Sequence, residues 1–250
     1  MALIGKKDAS IFQATVPESL LTTQRLANHS SNLIIESGKD PSRLIIAFTG
    51  FHGGLNVPVF DFLGATGMMS ASRILLRDPL QLLYLKGCRP DEPSFDRLLR
   101  RLRREIASLG ARHVSCVGTS GGGFAAMLFG HLLGVDRVHA FAPTVAGSVL
   151  VSMKRRDWAQ LKQRTAPLHF LLEVTHPWMW KYLDLEKLLS EWNGRTEFTV
   201  HVCGDNPGDM SRVERLRGAP HVRIEAHPCR THQVAKYLVR SGKLLEVFES

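Results

Sequence analysis

The run Val117-Gly-Thr-Ser-Gly-Gly-Gly123 carries the most specific chemistry in the sequence. Within it, Gly118-Thr-Ser-Gly-Gly122 has G-x-S-x-G spacing, directly after the apolar stretch His113-Val-Ser-Cys-Val117 and directly before the small, apolar stretch Gly121 to Leu133. A serine on a sharp strand-to-helix turn is forced into a strained backbone conformation, so its neighbours must be small. Gly118 and Gly122 would let strand and helix approach, while Gly121 and Gly123 would keep backbone N–H groups open to a substrate. The helix N-terminus places partial positive charge where an oxyanion would develop. Ser120 therefore reads as a nucleophile and Gly121 as one oxyanion donor. A phosphate-binding glycine loop is the competing reading, but the run lacks the lysine of G-x-x-x-x-G-K-[ST] and lies mid-chain.

The elements around this turn alternate. Arg43 to Thr49, Ala71 to Leu76, His113 to Val117, Arg137 to Phe141, Glu197 to Val202 and Val222 to Ala226 read as strands. Between them, Pro93 to Leu109 reads as an amphipathic helix closed by Gly110, and His232 to Phe248 as a closing helix. The first 30 residues are weakly patterned and read as a cap on the fold. Strands alternating with helices predict an α/β fold, a mostly parallel sheet with helices on both faces. Chemistry in such sheets collects beyond the carboxyl ends of the strands. With no repeat and no linker-like tract, residues 1–250 read as a single domain. After the strand ending at Phe141 the pattern changes. Residues 149–192 hold all four tryptophans (Trp158, Trp178, Trp180, Trp192) and read as a cap or an elaborated crossover.

On the G-x-S-x-G turn and its flanking elements, the chain from about Leu44 onward resembles the α/β-hydrolase superfamily. The segment Phe48-Thr-Gly-Phe-His-Gly-Gly54 lies where that family places its second oxyanion donor. The resemblance implies the Phe51 backbone N–H as that donor, with His52 in the same loop facing the site. A plain glycine turn is the bland alternative. Phe48 to Phe51, Arg77-Asp78, Tyr84 to Gly87, Gly118 to Ala126 and Ala140 to Pro143 also look like a group of small bacterial hydrolase-like proteins linked to polysaccharide and other biosynthetic clusters.

A serine nucleophile needs a general base and a carboxylate to orient it, which in this superfamily follow in the order serine, acid, histidine. Among 11 histidines, His232 in Cys229-Arg-Thr-His-Gln233 lies after the last strand at the start of a helix, as the family's histidine does; His227 is the fallback. Two aspartates compete for the acid on Cys203-Gly-Asp-Asn-Pro-Gly-Asp209. Asp205 comes almost straight off the strand and could serve the turn instead. Asp209 precedes a helix-like segment, as the family's acid commonly does, and is favoured; its bland reading is an N-cap. The implied activity is a serine hydrolase acting on an acyl ester, esterase- or thioesterase-like, through an acyl-enzyme. An acyltransferase using the same intermediate and a non-catalytic binding protein are the alternatives. The expected partner is a small-molecule or glycan-linked acyl substrate, with Trp178 and Trp180 as candidate lining for it.

Composition narrows the other possibilities. The net charge of +9 owes much to the stretch Arg97 to Glu105, where arginines alternate with leucines at helical spacing. This reads as the solvated face of a helix, with a weak preference for anionic substrates or surfaces, and no recognition module for nucleic acid accompanies it. No run approaches the roughly 18 apolar residues that cross a bilayer, and Met1 to Leu21 has no apolar leader, so a cytoplasmic protein is expected. The four cysteines lack CxxC spacing, and Cys203 and Cys229, though ending neighbouring strands, are expected to be thiols there. The spacing of His227, Cys229 and His232 fits no zinc pattern, so neither metal nor cofactor is expected.

Overall fold

The computed structural model describes residues 31–50, 70–162, 165–191 and 194–249. The segment 1–30 and Trp192, both part of the sequence reading above, lie outside the described residues.

Among the described residues, seven strands form one sheet in the order β1-β3-β2-β4-β5-β6-β7. They are β1 (Leu33–Glu36), β2 (Asp40–Phe48), β3 (Ala71–Leu76), β4 (His113–Thr119), β5 (Arg137–Phe141), β6 (Glu197–Cys203) and β7 (Val222–His227). All neighbours run parallel except the edge pair β1 and β3, where Leu33 faces Leu76. The edge strand β1 has no counterpart in the sequence reading, because four residues are too few to show a period.

Period-two alternation sends successive side chains to opposite faces. Leu44, Ile46 and Phe48 of β2 enter one core with Val138 and Ala140 of β5, while Ile45 and Phe141 enter the other. The first core is closed by α1 (Phe95–Ser108) and α2 (Gly121–Leu133). Ser94 caps α1, its Oγ accepting from the Arg97 N–H at 3.3 Å, and Phe95, Leu98 and Leu102 form the buried stripe. Gly110, at φ +64°, ends this helix in the left-handed conformation that suits glycine. In α2 every residue from Gly121 to Gly130 is buried, as expected of a helix that is apolar all round.

Between β5 and β6 stand short helices: α3 (Val149–Lys154), α4 (Trp158–Leu161), α5 (Ala166–Thr175), a 3₁₀ turn (Pro177–Tyr182) and α6 (Leu185–Ser190). Then come α7 (Pro207–Val213) and, after β7, α8 (Val234–Arg240) and α9 (Leu244–Glu249). The last two replace the single closing helix expected from the sequence. Gly242, at φ +68°, breaks it after the Arg240 turn. These helices close the second core through Val234, Leu238 and Leu244.

The parallel registers bring the carboxyl ends of the strands level, with Phe48 beside Gly118, Thr119 beside Phe141, and Cys203 beside His227. The chain leaves β2 to one side for β3 and returns on the other for β4, so the strand order reverses at β2 and β4. Crevices at such reversals are where ligands collect.

Candidate active site

The turn after β4 has the backbone strain that its sequence foretold. Ser120 sits at φ +56°, ψ −118°, a conformation non-glycine residues rarely adopt. Three backbone bonds hold it there: its N–H donates to the Phe141 carbonyl at 2.9 Å, and its own carbonyl accepts from Phe124 and Thr144, each at 3.1 Å. Glycines make the turn possible. A Cβ on Gly118 would lie 2.1 Å from the Gly122 carbonyl oxygen, and one on Gly122 would lie 2.2 Å from that of Phe48. The Ser120 side chain makes no capping bond to α2, so its hydroxyl is not tied to the helix. Gly121, first residue of that 13-residue helix, has an N–H without an intrahelical acceptor.

On the neighbouring strands, the loops after β6 and β7 meet. His232 Nδ1 lies 3.0 and 2.9 Å from the two carboxylate oxygens of Asp209. A carboxylate only accepts, so Nδ1 bears the proton and Nε2 is left as the basic nitrogen. Asp209 is buried on α7, while the His232 side chain is exposed. Two further donors fix the carboxylate: Asn206 Nδ2 at 2.8 Å and Arg212 Nη1 at 2.7 Å. Asn206 also caps α7, its Oδ1 accepting from the Asp209 N–H at 3.2 Å, so Asp209 is not the N-cap. Arg212 in turn pairs with Asp157, in the turn before α4, at 3.4 Å. The series Asp157–Arg212–Asp209–His232 therefore links the Trp-rich segment to the histidine.

Asp205 takes no part in this series. It is exposed and its backbone N–H donates to the Cys229 carbonyl at 3.1 Å, within the turn closed by Asn206 N–H to Cys203 O. His227, the fallback base, points elsewhere: its Nε2 lies 3.2 Å from His201 Nδ1, in a row that continues to His139. Among the described residues no hydrogen bond joins Ser120 Oγ to His232; such contacts commonly tighten only with substrate bound. Phe51 and His52 lie outside the described residues. Trp178 and Trp180 face solvent in large part, and their contacts run to Phe95, His176 and the Glu173 carbonyl rather than to Ser120, Asp209 or His232.

Further features escaped the sequence reading. Cys203 and Cys229 form a disulfide, correcting the expectation of thiols. Cys203 pairs with His227 across the sheet, and the Cys229 N–H folds back onto the His227 carbonyl at 2.8 Å, which brings the two Cα atoms to 4.7 Å. The bridge thus joins the strand end before Asp209 to the loop before His232. It also removes the thiol from the trio His227, Cys229 and His232. A different group, His201, Glu225 and His227, does bring one ligand atom each within 4.8 Å of one another. Its signal was the i, i+2 spacing of Glu225 and His227 on one strand face.

Tyr84 is another such feature. Its buried hydroxyl donates to the Leu76 carbonyl at 2.8 Å and accepts from the Thr49 N–H at 2.8 Å, bracing the start of the loop that leads to Phe51. Asp78 holds Tyr84 in place, accepting from its N–H at 2.9 Å. Burial pushes the Asp78 carboxyl upward despite the backbone N–H groups that oppose the shift.

Solved structures share this architecture. A putative esterase from Staphylococcus aureus is 14% identical over 89% of this chain and 80% of its own, with a TM-score of 0.58. An α/β-hydrolase enzyme from a lagoon-sediment metagenome is 15% identical over 86% of this chain and 93% of its own, at 0.55. An S-formylglutathione hydrolase from Agrobacterium tumefaciens is 13% identical over 84% of this chain and 86% of its own, at 0.53. No protein-family model matches the chain, and no curated protein matches it in sequence. At these identities the likeness establishes the α/β-hydrolase fold, which hosts many activities.

Proposed function

We propose that this chain is a serine hydrolase acting on acyl esters, with Ser120 as nucleophile, His232 as general base and Asp209 as the orienting acid. The observation that carries the reading is the buried Asp209 carboxylate at 2.9 Å from His232 Nδ1, in a chain whose one G-x-S-x-G serine sits on a strained turn. The fold shared with esterases favours the same chemistry.

In this mechanism His232 Nε2 takes the Ser120 Oγ proton as Oγ bonds to the ester carbonyl carbon. The carbonyl π pair moves onto oxygen, where the backbone N–H of Gly121 and, on the family's pattern, that of Phe51 stabilise it. Collapse expels the alcohol, which leaves with the proton from His232, and Ser120 is left acylated. Water then gives its proton to Nε2 as it adds to the acyl carbon, and the acid departs while Ser120 recovers its proton. An acceptor hydroxyl or amine in place of water would make the same intermediate an acyl donor. The segment 149–192 would act as a cap within a single domain, joined to the acid through Asp157 and Arg212.

Labelling with a fluorophosphonate probe tests the reading. Wild-type protein should be labelled, Ser120→Ala not at all, and His232→Ala slowly. Folded wild-type protein that stays unlabelled overturns the proposal in favour of a non-catalytic binding role.

A further inference from the structure

Most of the exposed large apolar side chains come from one stretch of the chain. Of the ten so exposed among the described residues, nine lie between Leu150 and Trp180, and Trp158 at 62% and Met153 at 57% are the most exposed. The tenth, Leu80, adjoins Gln81, whose carbonyl is 2.9 Å from His169 Nε2 of α5. Exposed apolar surface concentrated in this way marks an interaction site.

Glu173 welds these short helices into one layer. Its carboxylate accepts from the Ser148 hydroxyl and from the Val149 and Leu150 N–H groups at the start of α3, the latter two at 3.0 and 3.3 Å. Its carbonyl accepts from the Trp180 indole at 2.7 Å. So α3, α5 and the 3₁₀ turn are fastened to one another.

The charges of this layer are sorted by sign. Among the described residues of 149–182, Lys154, Arg155, Arg156, Lys162 and Lys181 stand against only Asp157 and Glu173. Both acids are turned inward, Glu173 buried under α3 and Asp157 paired with Arg212. Arg155 is neutralised by Asp184 and Glu186. Lys154, Arg156, Lys162 and Lys181 are exposed among the apolar groups. Exposed apolar groups and exposed cations on the same stretch, with tryptophans that suit the boundary between hydrocarbon and water, complement a bilayer bearing anionic headgroups.

We infer that residues 149–162 and 165–182 dock this protein on an anionic lipid surface and that its acyl substrate is drawn from that surface. The docking rests on the exposed face alone; the substrate class rests also on the reading of Ser120. The series from Asp157 through Arg212 to Asp209 places the docked layer against the histidine side of the site.

Flotation of the full chain with vesicles provides the test. Wild-type protein should float with equimolar phosphatidylcholine and phosphatidylglycerol, not with phosphatidylcholine alone, and salt should weaken the binding. The variant Met153→Ser/Trp158→Ser/Leu171→Ser should bind the mixed vesicles at least about tenfold less well. Lys154→Glu/Lys181→Glu should behave similarly. Both should keep the wild-type circular dichroism spectrum and turnover of a soluble short-chain ester. Wild-type protein that stays with the bulk solution overturns the inference, as does a triple variant that floats like wild type. So does a wild-type dimer that the triple variant converts to monomer without vesicle binding, which would assign the face to a second copy. Ser120→Ala should float like wild type. Protein that floats but resists the fluorophosphonate probe defeats only the hydrolase reading, and protein that is labelled but never floats defeats only this one.

Discussion

Asp209 sits at the centre of the proposed chemistry because its carboxylate meets three partners at once. Asn206, Arg212 and His232 all approach its carboxylate within 3.0 Å. Asp209→Asn replaces an acceptor with a group that can also donate, which lets His232 adopt the wrong tautomer. The expected loss in kcat is about 10³- to 10⁴-fold, whereas Asp205→Asn should stay within a few-fold of wild type; steady-state ester hydrolysis reads both. A carboxylate at 205 that mattered as much would move the acid to that position. The strain at Ser120 yields a second expectation. Glycine tolerates φ +56° where alanine does not, so Ser120→Gly should be more stable than Ser120→Ala by about 1 kcal/mol in urea unfolding, although both lack the proposed nucleophile. Equal stability would mean the turn stores no strain.

At the scale of elements, the bridge between Cys203 and Cys229 fastens the loops after β6 and β7, which the sheet register already brings side by side. It spans 26 residues of sequence, and closing a loop of that size in the unfolded chain is worth about 3 kcal/mol. Cys203→Ser/Cys229→Ser should lose stability on that order in urea unfolding. In denatured protein two thiols should react without reductant and four with it, the first two being Cys88 and Cys116. In the native state those two should resist alkylation. Both are buried, and burial raises both thiols, Cys88 to about 12, so thiolate is scarce. Four reactive thiols in unreduced protein would contradict the bridge. A disulfide is uncommon in the reducing cytoplasm, the compartment expected from the sequence.

At the scale of the whole molecule, stability should answer to pH through His139 and His227. Burial, aided by neighbouring His201 and Arg137, lowers the His139 imidazole from 6.5 to about 3, and burial lowers His227 in the same direction. A histidine depressed in the folded state binds its proton mainly after unfolding. Its contribution is therefore complete above pH 6.5 and is lost as pH falls from there toward 3. Thermal unfolding should show a falling Tm between pH 7.5 and pH 5, and His139→Gln should flatten that slope. An unchanged slope in the variant would place the acid sensitivity elsewhere.

How much of this was legible beforehand differs by element. Strands at Ala71–Leu76 and Arg137–Phe141 and the helix at Gly121–Leu133 occupy the residues read for them, because each is a dense apolar run bounded by breakers. The closing helix was read as one, since Gly242 in a helical pattern is a weak stop until its positive φ is seen.

The sequence by itself determined the α/β alternation and the glycine-ringed turn at Ser120, since both follow from the space and conformations that consecutive residues allow. Tertiary structure decided which aspartate meets His232, that Cys203 joins Cys229, and that the tryptophans of α4 and the 3₁₀ turn face outward. Those outcomes depend on where separate loops are delivered by the sheet, and the spacing along a chain holds no record of the distance between residues that lie far apart in it.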